Sequence, residues 1–149
     1  MCIRDSVATA TVADLRDLER KVEKAMSIHG ARYIHIFVPC PLGWGAPSGK
    51  TVEIARLAAE TGLFPVFEAE YGEVTHARKL RRLRPVEDYL KMQKRFAHLF
   101  GKKGDPATVA RIQAVADRNI ERFGLLDGEE DKEMIIPVPA QADARTQAR

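Results

Sequence analysis

The sequence predicts an α/β protein: an incomplete doubly wound sheet, followed by two amphipathic helices and a polar tail. Two observations carry this expectation. Helix-like and strand-like patterns alternate from residue 7 to residue 71. The most apolar segment stops at a loop rich in Pro and Gly, the place where open α/β sheets receive their ligands.

Taken in order, residues 7–10 are small and apolar, the end of a strand. Thr11, Val12, Ala13 and Asp14 have the spacing of a capping box, a hydroxyl followed three residues later by an acid. Leu15, Leu18, Val22, Ala25 and Met26 recur at helical spacing, and Gly30 is placed to end that helix. Residues 33–38 (YIHIFV) are nearly continuously apolar and β-branched, so they read as a strand buried on both faces, closed by Pro39. A loop covers residues 40–49, and a second helix is expected over 50–61, closed by Gly62. Residues 66–71 alternate, with Phe67, Ala69 and Tyr71 on one face and Val66, Glu68 and Glu70 on the other, as a half-exposed strand near a sheet edge does. Two amphipathic helices follow, one with Val86, Tyr89, Leu90, Phe96 and Phe100, the other with Val109, Ile112, Val115, Ile120 and Phe123. Residues 127–149 are polar and read as a disordered tail.

Composition narrows the function classes. A chain of 149 residues with 45% hydrophobic and 30% charged residues is expected to be one soluble domain. No apolar run reaches the ~20 residues that span a bilayer, and no secretory signal pattern is present, so a cytoplasmic location without membrane partners is expected. The net charge of +3 is uneven: residues 78–103 hold ten Lys or Arg against Glu87 and Asp88. Such a stretch can meet phosphate or an acidic surface, and equally can be a solvated helix face. A small basic nucleic-acid-binding domain is one alternative it raises. No aromatic residues interleave with Arg78–Arg84, however, and no recognised module matches, so nucleic acid is not an expected partner. A module whose last two helices dock onto a partner protein is a further alternative.

Two cysteines, Cys2 and Cys40, are too few for a disulfide framework or a self-contained zinc site. The opening MCIRDS resembles translated sequencing-adapter read-through, which would place the native start near Ser6 or Val7. Residues 1–6, Cys2 included, are therefore expected to be artefactual.

Cys40, between Pro39 and Pro41 in VPCPLGWG, is the leading candidate for chemistry. Flanking prolines fix its backbone, which suits a ligand held in place; a buried inert thiol is the competing reading. Thiolates are the usual iron–sulfur ligands and such clusters take four, so one cysteine cannot build a site alone. The downstream Gly-Lys-Thr (residues 49–51) invites comparison with a nucleotide-binding P-loop, but the glycine spacing is wrong and Pro47 removes an N–H. His29, His35, His76 and His98 lack metal-ligand spacing. His35 reads as a core residue, and Glu68 and Glu70 as solvated carboxylates.

The run IHGARYIHIFVPCPLGWGAPSGKTVEIARLAAETGLFPVFEAEYG, flanked by VATATV and RPVEDYLKMQKRFAHL, resembles the β subunit of pyruvate:ferredoxin oxidoreductases and related 2-oxoacid enzymes. The likeness covers roughly residues 7–124, and Pro-Cys-Pro-x-Gly-Trp followed by Glu-Thr-Gly-Leu-Phe-Pro is its specific part. The resemblance implies a thiamine-diphosphate-binding fold over residues 7–74, the helical region that ends the β polypeptide over 75–126, and the tail over 127–149. It implies an enzyme that uses thiamine diphosphate and Mg²⁺ to decarboxylate pyruvate or another 2-oxoacid. Electrons pass through [4Fe–4S] clusters to ferredoxin, coenzyme A takes the acyl group, and further subunits of the complex are partners. Cys40 matches the family's late cluster ligand. The three early cysteines and the diphosphate-binding Gly-Asp-Gly…Asn motif have no counterpart in this sequence, so the chain by itself is expected to be inactive.

Overall fold

The computed structural model describes residues 5–126; Cys2, most of the 1–6 segment and the tail from residue 127 lie outside them. Four strands form one open mixed sheet in the order β2-β1-β3-β4. These are β1 (Ser6–Thr11), β2 (Arg32–Phe37), β3 (Phe67–Glu70) and β4 (Glu73–Ala77). β1 runs parallel to β2 and antiparallel to β3, which pairs antiparallel with β4. The helices are α1 (Leu15–Ser27), α2 (Pro41–Trp44), α3 (Thr51–Glu60), α4 (Val86–Lys91) and α5 (Pro106–Phe123), with 3-10 segments at Ser48–Lys50 and Lys94–Leu99. The expected α/β architecture is present.

Strand register sorts the sheet into two unlike faces. Ala8, Ile34 and Glu68 share one face, because Ala8 pairs with both of the others. α1, the connection between β1 and β2, covers it. The opposite face carries Thr9, His35 and Phe37, and aromatic contacts tie it to the helical side: Phe37 to Phe64 (4.9 Å) and Phe67 to Phe123 (4.7 Å). On that side Ile54, Leu57, Ala58, Val86, Tyr89, Leu90, Leu99 and Ala116 make the main core, where α3, α4, α5 and the Lys94–Leu99 segment meet. Thr9 fixes the approach of β3, its hydroxyl donating to Pro65 O (2.7 Å) and accepting from Phe67 N (2.9 Å).

Local chemistry sets the element ends. Asp14, not Thr11, caps α1 by accepting from Asp17 N, and the Thr11 hydroxyl accepts from Ala13 N just before it. The capping-box reading is thus corrected by one turn of chain. Ile28 closes α1 in an extended conformation, so Gly30 is not its terminator. Asp105 caps α5 with Pro106 in its first turn, and Gly124 ends it at a left-handed φ of 55°. The β3–β4 hairpin turns at Tyr71 and Gly72, both at positive φ (52° and 92°), as the tight hairpin turn demands.

Four expectations change. β2 is the edge strand of this chain rather than a strand buried on both faces: Tyr33, Ile36 and Val38 are exposed at 59%, 40% and 57%. His35 is exposed with it, edge-on to Phe64 at 5.4 Å, and is not a core residue. β3 lies inside the sheet because β4, a strand too polar to read from the sequence, takes the outer place. The helix carrying Val86 through Phe100 divides in two at Gln93.

α1 departs furthest from its pattern. Leu15, Val22 and Met26 are 67%, 43% and 73% exposed, whereas Lys21 is buried. Its ammonium donates to Asp17 Oδ2 (2.6 Å) and to Thr9 O (2.9 Å). Beside it, Glu68 accepts from Arg20 (2.7 Å) and Lys24 (2.9 Å), and Lys24 also reaches Glu70 (2.8 Å). Glu68, read as solvated, is only 4% exposed. Helix α1 is therefore bound to the sheet by a layer of ion pairs.

Substitution and acid probe this layer separately. The Lys21 side chain is 1% exposed and that of Asp17 15%. Asp17→Ala would leave the ammonium with one carbonyl, and breaking a buried pair on one side costs about 3–5 kcal/mol. Native-state hydrogen exchange at the β1 amides should show that loss, and Lys21→Met added to Asp17→Ala should recover most of it. Acid acts through Glu68. Burial pushes its carboxyl up, but the hydrogen bonds from Lys24 and Arg20 outweigh it and hold the group below the usual carboxylate range. A lowered folded-state value gives stability that is present above the unfolded carboxyl's pKa of about 4.3 and lost as pH falls through the folded value. Glu68→Gln should therefore flatten the acid-unfolding profile in that range; an unchanged profile would count against the pairing.

Candidate functional site

β2 delivers the chain to the site. The strand ends at Phe37, Val38 continues outward, and Pro39, buried, cannot extend the ladder. Cys40 follows in an extended conformation (φ −101°, ψ 103°) at the head of the one-turn helix α2, whose first residue is Pro41. Its thiol is free and exposed, so the reading as a buried inert cysteine does not hold. Trp44 N donates to Cys40 O at 3.1 Å and Ala46 N to Pro41 O at 2.9 Å, closing the turn upon itself. Gly45 ends it at φ 62°, in the left-handed region.

The surroundings of the thiol are open and apolar. A side-chain carbon at Gly43 would stand 3.4 Å from Cys40 Sγ, so the missing side chain keeps one flank of the sulfur clear. Leu42 is 95% exposed and Val38 57%. Below the loop, Trp44 packs against Phe37 (5.8 Å between ring centres), and Phe37 against Phe64. The loop thus stands on an aromatic base of Phe37, from β2, and Phe64, from the connection between α3 and β3.

One soft sulfur donor suits one iron of an iron–sulfur cluster and cannot hold such a cluster alone. Among the described residues no group of three or more His, Cys, Asp or Glu side chains is arranged to hold a metal. The donor chemistry fits a single ligand whose companions come from elsewhere. Lys50, the lysine of the Gly-Lys-Thr run, pairs with Glu53 at 2.6 Å rather than facing a phosphate cradle. Among the described residues no helix is long and apolar enough to cross a membrane.

The basic stretch is partly neutralised where it folds. Arg78 meets Asp14 (3.0 Å), Arg84 meets Asp88, and Lys91 meets Glu87. Arg95 lies over the Trp44 ring, 4.0 Å from its centre. Sequence reading missed this contact between the basic stretch and the cysteine loop.

No protein-family model matches the chain. Comparison with individual proteins is informative. The chain is similar to the pyruvate synthase subunit PorB of Methanosarcina barkeri, 52% identical over 119 residues, which is 80% of this chain and 40% of that protein. It is 45% identical over 119 residues to the pyruvate synthase subunit PorB of Methanocaldococcus jannaschii, covering 80% of this chain and 38% of the relative. It is also 46% identical over 94 residues to the ketoisovalerate oxidoreductase subunit VorB of Pyrococcus abyssi, covering 62% of this chain and 30% of the relative. The chain spans about two fifths of the length of the PorB relatives it matches. On this similarity, the chain is like a segment of the subunits named PorB and VorB in those pyruvate synthases and ketoisovalerate oxidoreductases.

Proposed function

We propose that the chain is the C-terminal part of the β subunit of a cytoplasmic pyruvate:ferredoxin oxidoreductase, and that Cys40 is one of four thiolate ligands of a [4Fe–4S] cluster. The single observation that carries this reading is the 52% identity over 119 residues to a pyruvate synthase subunit. The free, exposed thiol at the end of β2 supports the assignment of the ligand. Pyruvate is the substrate favoured, because the PorB of Methanosarcina barkeri is matched at 52% over 119 residues, against 46% over 94 residues for the VorB of Pyrococcus abyssi.

In this reading residues 7–74 complete a larger thiamine-diphosphate-binding sheet, and residues 75–126 form the helical region that ends the β polypeptide. The exposed edge at β2 receives a strand from the remainder of the subunit, the three fifths of the PorB length that this chain does not match. The remaining three thiolates, and the groups that hold thiamine diphosphate and Mg²⁺, come from that same remainder. When bound, a cluster at Cys40 supplies one-electron transfer toward ferredoxin, while the acyl group of pyruvate passes to coenzyme A. The chain's own part is structural and electronic. Cys40 donates the sulfur, Pro39 and Pro41 fix its backbone, and Gly43 leaves room beside it.

The test is reconstitution. The 149-residue chain alone, supplied with thiamine diphosphate, Mg²⁺, iron and sulfide, should show no pyruvate-dependent reduction of ferredoxin or a viologen dye. The same residues within the full-length subunit and its partner subunits should turn over. Thiamine-dependent turnover by the chain alone would overturn the reading.

A further inference from the structure

The segment after α4 reaches back to the cysteine loop and grips it from one side. Gln93 is 1% exposed, an unusual place for an amide, and both ends of its side chain are used. Its Nε2 donates to Tyr89 O at 2.8 Å, and its Oε1 accepts from Arg95 Nε at 2.9 Å. Held in this way, the Arg95 guanidinium lies 4.0 Å from the centre of the Trp44 ring and 4.7 Å from that of Phe96. One residue earlier, Lys94 N donates to Gly45 O (3.4 Å). The backbones approach so closely that a side-chain carbon on Gly45 would stand 2.8 Å from Lys94 Cβ. Two contacts, Arg95 on Trp44 and Lys94 against Gly45, therefore join residues 93–96 to the turn that presents Cys40.

We propose that Arg95 is a positioning residue for the Cys40 ligand: clamped by Gln93, it presses Trp44 onto the sheet, fixes the turn of residues 40–46 and holds a positive charge at the loop's rim. Arginine suits this work because its planar cation stacks on aromatic faces while its Nε–H remains free to donate, which an ammonium cannot imitate. A fixed cation beside a cluster favours the reduced state, which carries the extra negative charge, so the clamp also raises the midpoint potential. The effect on the cluster rests on the reading of Cys40 as a ligand; the clamp on the loop does not.

The experiment uses the full-length subunit assembled with its partner subunits, as wild type, Arg95→Ala, Arg95→Lys and, as a control, Cys40→Ala. Two readouts are taken. Hydrogen exchange is followed at the Trp44, Gly45 and Ala46 amides, which close the turn. The cluster's midpoint potential is followed by redox titration with electron paramagnetic resonance. Arg95→Ala should speed exchange at these amides by about tenfold, the scale of a partly desolvated cation–π pair, and shift the potential to more negative values. Arg95→Lys, which keeps the charge and loses the planar stack, should retain most of the potential and show intermediate exchange. If Arg95→Ala does not assemble, faster exchange in Arg95→Lys carries the test. Unchanged exchange at the three amides in every Arg95 variant that assembles overturns the clamp. A Cys40→Ala complex with full iron content would overturn the ligand reading instead, and leave the exchange result to judge the clamp by itself.

Discussion

Expressed alone, the 149-residue chain should give no sharp, reversible thermal transition. β2 offers an open outer edge, and Leu15, Met26, Tyr33 and Val38 around it are 57–73% exposed. An unpaired edge beside exposed aliphatic and aromatic groups is a template for association. Leaving roughly a few hundred Å² of apolar surface in water forgoes several kcal/mol at about 25 cal/mol per Å². That is comparable to the whole net stability of a domain, about 5–15 kcal/mol. The main core lies on the helical side of the sheet, and the α1 side is joined by ion pairs, whose burial contributes little net stability. The isolated chain should therefore bind a hydrophobic dye, elute as aggregates and lose ellipticity gradually on heating. Within the full-length subunit the same residues should melt cooperatively. A soluble monomer with a steep, reversible transition would show that the β2 edge needs no partner strand.

How much of this could be read from residues alone varied with how local the deciding physics was. α3 and α5 were legible because their signals sit within their own stretch: apolar spacing, and Gly62 beyond the end of α3. The cysteine loop was legible for the same reason, since Pro39, Cys40, Pro41 and Gly43 announce a fixed turn. What failed depended on distant partners. Glu68 reads as a solvated acid until Arg20 and Lys24, on another element, arrive to pair with it. Leu15, Val22 and Met26 read as a core-facing stripe, yet they stay exposed among the described residues, and Lys21 turns inward to Asp17 and Thr9. β4 carries no apolar alternation because its residues are mostly exposed; only its pairing with β3 reveals it. The division of the long C-terminal helix at Gln93 was hidden as well, because a buried glutamine there makes sense only once Arg95 and Trp44 are seen together. The family resemblance supplied what pattern could not, a proposed role for Cys40.

The largest functional effect is expected at that residue. On the proposed ligand role, Cys40→Ala in the intact oxidoreductase would remove one sulfur from a cluster that needs four thiolates, and no other cysteine among the described residues can replace it. Alanine fits the space without strain, since the turn is closed by backbone hydrogen bonds that do not involve the thiol. Folding and assembly of the complex should therefore persist while the redox centre is lost. Cys2, outside the described residues, should be replaceable by serine without effect. The decisive measurement is iron content and the reduced-cluster paramagnetic signal of the assembled Cys40→Ala complex, set against wild type prepared in parallel. The prediction is a deficit of one [4Fe–4S] cluster per subunit, the disappearance of one cluster signal, and no pyruvate-driven electron flow to ferredoxin. Full iron with an unaltered signal would contradict it, and Cys40 would then be an exposed thiol with no part in the cluster.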